Sequence, residues 1–319
     1  MSRLANYVSV FSICVLGSCA TPTPRTIDSA PAASEEAPRL PPDRDLARLL
    51  SAAEEPEGPG TQLGPFTDII VESAPGLPTH TVYYPSAPGT ETLPVLIWGN
   101  GACRNDGQMF YRTLTKVASH GFFVVAVGLF ETIEGAPSTT GDQMIEAIDW
   151  LESAPALPAQ IADNLDTETI AVMGQSCGGL MTLEASSDPR VDTIGVINSG
   201  VFDPDDNGGL SNSTITKDDL SLIHTPALYI NGGTNDVAFE NSNDDFTRIG
   251  HVPVFYGVME GAGHMATHRH RNGGRFAEVI AAWLDWQLKD DTDAESWFVG
   301  ADCGLCQDPE WDVQKKNLD

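Results

Sequence analysis

The sequence predicts an α/β fold with a mostly parallel central sheet and helices on both faces. Three observations carry that expectation. Apolar, strand-like runs alternate with helix-like stretches from about residue 66 to residue 288, the order that parallel strands and crossover helices produce. Several of those runs end in glycine-rich turns. One of them, Glu168-Thr-Ile-Ala-Val-Met-Gly174, continues directly into Gly174-Gln-Ser176-Cys-Gly178-Gly179, which reads as a strand joined to a helix by a single tight turn.

The elements follow in order. Strands are expected near 66–72 and 79–84, both rich in β-branched and aromatic residues. Leu93-Pro-Val-Leu-Ile-Trp98 comes next and is apolar throughout, as a strand buried on both faces must be. Helices are expected near 106–120, 140–152 and 177–187, with a further strand near 192–198. Thr225-Pro-Ala-Leu-Tyr-Ile-Asn-Gly-Gly-Thr-Asn-Asp236 reads as a proline-started strand ending in a glycine turn. Val252-Pro-Val-Phe-Tyr-Gly-Val-Met-Glu-Gly-Ala-Gly-His264 reads as another. A chain of 319 residues, less a processed start and a linker, is long enough for one large core. No internal repeat interrupts it. The expected organisation is a signal segment at 1–18, a Pro/Ala/Glu-rich tether at 19–62, a domain at 63–290, and a tail at 291–319.

Gly-x-Ser-x-Gly after a strand has a mechanical reason. Ser176 would sit in strained backbone on the turn, and small residues two before and two after it avoid a clash. The turn presents the hydroxyl and leaves the Cys177 amide at the positive end of the following helix. A serine is a weak nucleophile at neutral pH and needs a base and an orienting carboxylate, in the chain order serine, acid, histidine. Asp236, just past its glycine turn, is the expected acid, with Asp203, Asp205 and Asp206 as rivals. His264, in its glycine loop, is the expected base. His268 and His270 compete with it but are expected in a solvated basic loop with Arg269 and Arg271. His80, His120, His224 and His251 are expected to be structural. A second amide for a developing oxyanion should come from Gly99-Asn-Gly-Ala-Cys103: Ala102, with Gly101 as the alternative.

These segments, with Thr81-Val-Tyr-Tyr-Pro85, Ala118-Ser-His-Gly-Phe-Phe-Val-Val-Ala126 and the closing helix from Phe276 to Leu288, resemble the α/β-hydrolase superfamily over roughly residues 63 to 290. Within it the chain is similar to the dienelactone-hydrolase-like and cutinase-like polyester hydrolases. The resemblance implies the α/β-hydrolase fold, a Ser176–His264–Asp236 triad and hydrolysis of carboxylic esters without a cofactor or metal. Two positions depart from the cutinase-like pattern: Cys177 stands where Met is usual after the nucleophile, and the oxyanion loop carries small residues where an aromatic is usual. The resemblance therefore brings no aromatic stacking platform from that loop.

The start of the chain implies export. A short basic start, the apolar run Val8-Ser-Val-Phe-Ser-Ile-Cys-Val-Leu16 and Leu16-Gly-Ser-Cys19 resemble a bacterial lipoprotein signal with lipidation at Cys19, and the apolar run is too short to span a bilayer. An ordinary secretory signal is the alternative. The first reading gives a lipid anchor to a bacterial membrane, facing the periplasm or the exterior, with the tether holding the enzyme off the surface. Outside the cytoplasm thiols pair. With Cys14 removed and Cys19 lipidated, Cys103, Cys177, Cys303 and Cys306 remain. Cys103–Cys177 and Cys303–Cys306 are the expected disulfides, the first because both cysteines flank the same site.

Asp203-Pro-Asp205-Asp-Asn207-Gly208 has the front half of a calcium loop, but Thr214 occupies the twelfth position where a bidentate Glu is needed. It is expected to be an acidic surface turn. Lys plus Arg number 17 against 45 Asp plus Glu, giving a formal charge of -28. Such a surface argues against nucleic acid as a partner and favours neutral esters over anionic ones. Small aryl or acyl esters, polyesters and lipid esters all fit. The contrasting class is a non-catalytic binding or scaffold lipoprotein on a degenerate hydrolase fold.

Overall fold

A computed structural model describes Gly58, residues 60–202 and residues 213–318. The expected signal segment, Cys19, nearly all of the tether and the Asp203–Gly208 turn with its three rival acids lie outside the described residues.

Among the described residues nine strands form one sheet: β1 (Ile69–Ser73), β2 (His80–Pro85), β3 (Leu93–Gly99), β4 (Phe123–Val127), β5 (Leu165–Gln175), β6 (Thr193–Ile197), β7 (Ala227–Asn231), β8 (Val254–Val258) and β9 (Asp312–Lys316). Their spatial order is β1-β2-β4-β3-β5-β6-β7-β8-β9. From β4 to β8 every neighbouring pair is parallel, so the loops leaving these six strands emerge along one edge. β1, β2 and β9 are antiparallel additions.

The helices cover both faces. α1 (Tyr111–Ser119) and α5 (Gly274–Lys289) pack on one face; α2 (Asp142–Glu152), α3 (Cys177–Ala185) and α4 (Phe239–Arg248) pack on the other. β3 shows why the sequence lacks alternation there. Val95 and Ile97 join the core under α2 and α3, while Leu96 and Trp98 join the core under α1 and α5, and all four are fully buried. Both faces of a central parallel strand demand apolar residues.

Two differences from the sequence reading have local causes. The helix expected near 106–120 begins only at Tyr111, because the residues before it are pinned as turns: Gly107 N donates to the Leu129 carbonyl at 2.9 Å and its own carbonyl accepts from Tyr83 Oη at 2.7 Å. The segment 291–319, expected as a tail beyond the domain, is part of the fold. Phe298, Cys303, Leu305, Trp311 and Leu318 enter the core beside α5, and β9 pairs with β8. The sequence Asp312-Val-Gln-Lys-Lys316 is too polar to announce a strand, as befits one that covers an edge and is only half buried. The Cys303–Cys306 disulfide forms there, with Cα atoms 4.9 Å apart.

Candidate active site

The elbow is built from close backbone contact. Ser176 has φ 55° and ψ -117°, a conformation that favours glycine. It is held by Ser176 N donating to the Ile197 carbonyl at 2.9 Å and by Ser199 Oγ donating to the Ser176 carbonyl at 2.6 Å. A Cβ on Gly178 would lie 2.0 Å from the Gly99 carbonyl oxygen, and one on Gly174 would lie 2.3 Å from the Gly178 oxygen. The two motif glycines thus let the first turn of α3 rest directly on the ends of β3 and β5.

His264 Nε2 lies 2.9 Å from Ser176 Oγ, and His264 Nδ1 lies 2.6 Å from Asp236 Oδ1. Residues 88 and 28 positions apart meet because β5, β7 and β8 end at the same edge. The β7 and β8 loops are stitched together by Gly263 N donating to the Gly232 carbonyl at 2.9 Å, an approach that a Cβ on Gly232, 2.0 Å from the Gly263 oxygen, would forbid.

The Asp236 side chain is fully buried, whereas that of His264 is 30% exposed. Burial pushes the Asp236 carboxyl up, but hydrogen bonds from His264, Asn198 Nδ2 and the amides of Ala238 and Gly232 outweigh it. The net effect holds its pKa below the ordinary carboxylate value, so it stays ionised. A buried carboxylate behind an imidazole that itself contacts an alcohol can orient the ring and stabilise the cation formed when the ring takes the alcohol's proton.

The other half of the site is the turn after β3. Gly101–Cys103 form a short 3-10 turn in which Ala102 (φ 51°) and Cys103 (φ 48°) both adopt left-handed backbone. The Cys103–Cys177 disulfide, with Cα atoms 5.3 Å apart, ties this turn to the first residue of α3. The Cys177 amide is among the first helical amides, which have no carbonyl partner within the helix. Ala102 is exposed and Gly101 is buried.

The competing histidines separate. His268 is not in a solvated loop: it is 4% exposed, with Nδ1 2.9 Å from Thr113 Oγ1 and its ring edge-on to Trp98, Phe110 and Phe276. Burial drives its pKa down to about 3, keeping it neutral. His270 is exposed. His80 is buried with Nε2 on the Gln143 carbonyl, and His120 Nδ1 meets Asp285 Oδ2 at 2.7 Å. Sequence reasoning missed Gln175, Asn198 and Ser199. All three are polar residues at the ends of apolar strands, and that position was the available signal.

The mostly parallel nine-stranded sheet of the described residues, with helices on both faces, is that of the α/β-hydrolase class. The chain belongs to the PETase family, described as PET hydrolase-like, whose family model matches residues 60–311. It is also 25% identical over 178 residues to the bis(hydroxyethyl) terephthalate hydrolase of Streptomyces coelicolor, an alignment covering 56% of this chain. The chain spans about half, 51%, of that relative's length.

Proposed function

We propose that the protein is a serine carboxylic-ester hydrolase. The single observation that carries the reading is the continuous chain of contacts from Ser176 Oγ through His264 to buried Asp236. Ser176 Oγ attacks the ester carbonyl carbon and its proton passes to His264 Nε2. The oxyanion is held by the amides of Cys177 and Ala102, with Gly101 as the alternative donor. His264 returns the proton to the leaving alcohol, giving an acyl-enzyme. Water, deprotonated by the same imidazole, attacks that acyl group; Ser176 recovers its proton and the acid departs. Asp236 keeps the ring in orientation throughout.

Membership of the PET hydrolase-like family and likeness to a terephthalate diester hydrolase support aromatic polyesters and their soluble diesters as the narrower substrate class. The Leu16-Gly-Ser-Cys19 pattern supports export and lipidation at Cys19 as part of the same proposal. The test is release of p-nitrophenol from short-chain esters, and of mono(hydroxyethyl) terephthalate or terephthalate from bis(hydroxyethyl) terephthalate and polyester film, by wild type and Ser176→Ala. The reading expects hydrolysis by the wild type alone. Equal release by the variant would overturn it, and activity on p-nitrophenyl esters without release of either terephthalate or its monoester would remove the narrower class.

A further inference from the structure

Gln175 is the last residue of β5 and the immediate neighbour of Ser176, yet its polar side chain is only 1% exposed. Its amide spans two loops. Nε2 donates to the His264 main-chain carbonyl at 2.8 Å. Oε1 lies against the oxyanion-side turn so closely that a Cβ on Gly101 would come within 2.1 Å of it. The His264 ring is already fixed at Nδ1 by Asp236, and Gly263 before it is fixed by its N–H on the Gly232 carbonyl and by its own carbonyl accepting from Asn198 Nδ2 at 3.4 Å. These anchors tie the histidine to the loops after β6 and β7. Gln175 supplies its tie to the elbow.

We propose that Gln175 is a positioning residue that sets His264 relative to Ser176 while seating the Gly101 turn. This rests on the serine-esterase reading above. The physical consequence is a shared anchor: because Gln175 is bonded to Ser176, a hydrogen bond from its side chain to the His264 peptide makes nucleophile and base move together. Without that bond the alignment needed for proton transfer depends on a glycine loop held through Asp236, the Gly232 carbonyl and the longer Asn198 contact, with no direct bond to the residue beside the nucleophile. A partly buried His264 carbonyl left without its donor would also seek another partner and draw the loop with it.

The test uses the purified protein with Gln175→Met, which keeps length and removes the donor, and Gln175→Glu, which can donate only when protonated. Both kcat and KM for p-nitrophenyl butyrate are measured from pH 5 to pH 9, beside the thermal midpoint and a Ser176→Ala control. Gln175→Met should lower kcat about tenfold, the effect of losing one aligned hydrogen bond, with KM within about twofold. For Gln175→Glu, activity relative to wild type should fall as pH rises, because the ionised carboxylate repels the His264 carbonyl. Wild-type kcat in Gln175→Met overturns the inference. So does a fractional loss in Gln175→Glu that is the same at every pH, which is what a purely structural role would give. If Gln175→Met does not fold, the Gln175→Glu profile decides. Hydrolysis retained by Ser176→Ala would instead sink the esterase reading, and this inference with it.

Discussion

The two disulfides should differ sharply in what they contribute to stability. Cys103 and Cys177 are 74 residues apart, so their bond closes a large loop in the unfolded chain, whereas Cys303 and Cys306 are 3 apart. The chain-entropy relation gives about 4.4 kcal/mol at 25 °C for the first and about 1.6 kcal/mol for the second. Removing Cys103–Cys177 as Cys103→Ala/Cys177→Ala should therefore lower the thermal midpoint by about 10 °C at the few degrees per kcal/mol usual for a domain of this size. Both cysteines are buried, at 4% and 7% exposure, so the alanines also leave a small void. Comparing Cys303→Ala/Cys306→Ala protein before and after reduction isolates the long-range cross-link with both thiols still in place. Urea unfolding is the assay. An equal or greater loss on removing Cys303–Cys306 than on removing Cys103–Cys177 would refute the loop-closure reasoning.

Two further outcomes follow from the geometry. Gly178→Ala should lose about 3 kcal/mol or more, since its Cβ would meet the Gly99 oxygen at 2.0 Å and the Asn100 nitrogen at 2.8 Å, both backbone atoms; a wild-type thermal midpoint would remove the close-contact account of the elbow. Burial lowers the pKa of His80 to about 4 from an ordinary 6.5 despite its bond to the Gln143 carbonyl. Its contribution is thus complete above pH 6.5 and is lost as pH falls toward 4, at about 1.4 kcal/mol per pH unit, because only the unfolded chain takes up the proton. His268, lowered to about 3, acts in the same direction, whereas Asp245, raised to about 6 by burial, loses stability as pH rises from its ordinary 3.8. The difference between wild type and His80→Gln removes those shared effects: between pH 7 and pH 5 the variant should lose about 2 kcal/mol less in urea unfolding. Equal losses would contradict the buried neutral imidazole.

The site was legible where chemistry forces a spacing on the sequence. Gly174, Ser176 and Gly178 are dictated by one turn, and Asp236 and His264 each follow an apolar strand and a glycine turn. The pairing of Cys103 with Cys177 was legible because each follows a residue of the same expected site. What escaped were contacts made across the sheet edge. Nothing near Asn198 reveals that its amide reaches Asp236 Oδ2 at 2.7 Å, since the two are 38 residues apart. His268 looked solvated beside Arg269 and His270, but one helical-like turn sends it inward against Phe110 and Phe276 while its neighbours face out. β9 was hidden because edge strands do not need apolar alternation.

That last strand has a consequence for self-association. Left bare, β8 would offer a row of unpaired amides and carbonyls on a wholly buried, apolar strand, a template on which another copy could add. The strand that caps it instead carries Lys315 and Lys316, and Lys316 Nζ is drawn away to the Thr247 and Ile249 carbonyls at 3.1 and 2.7 Å. Clipping the chain before Asp312 should increase filament growth or precipitation relative to the full chain, even with every residue around Ser176 still in place.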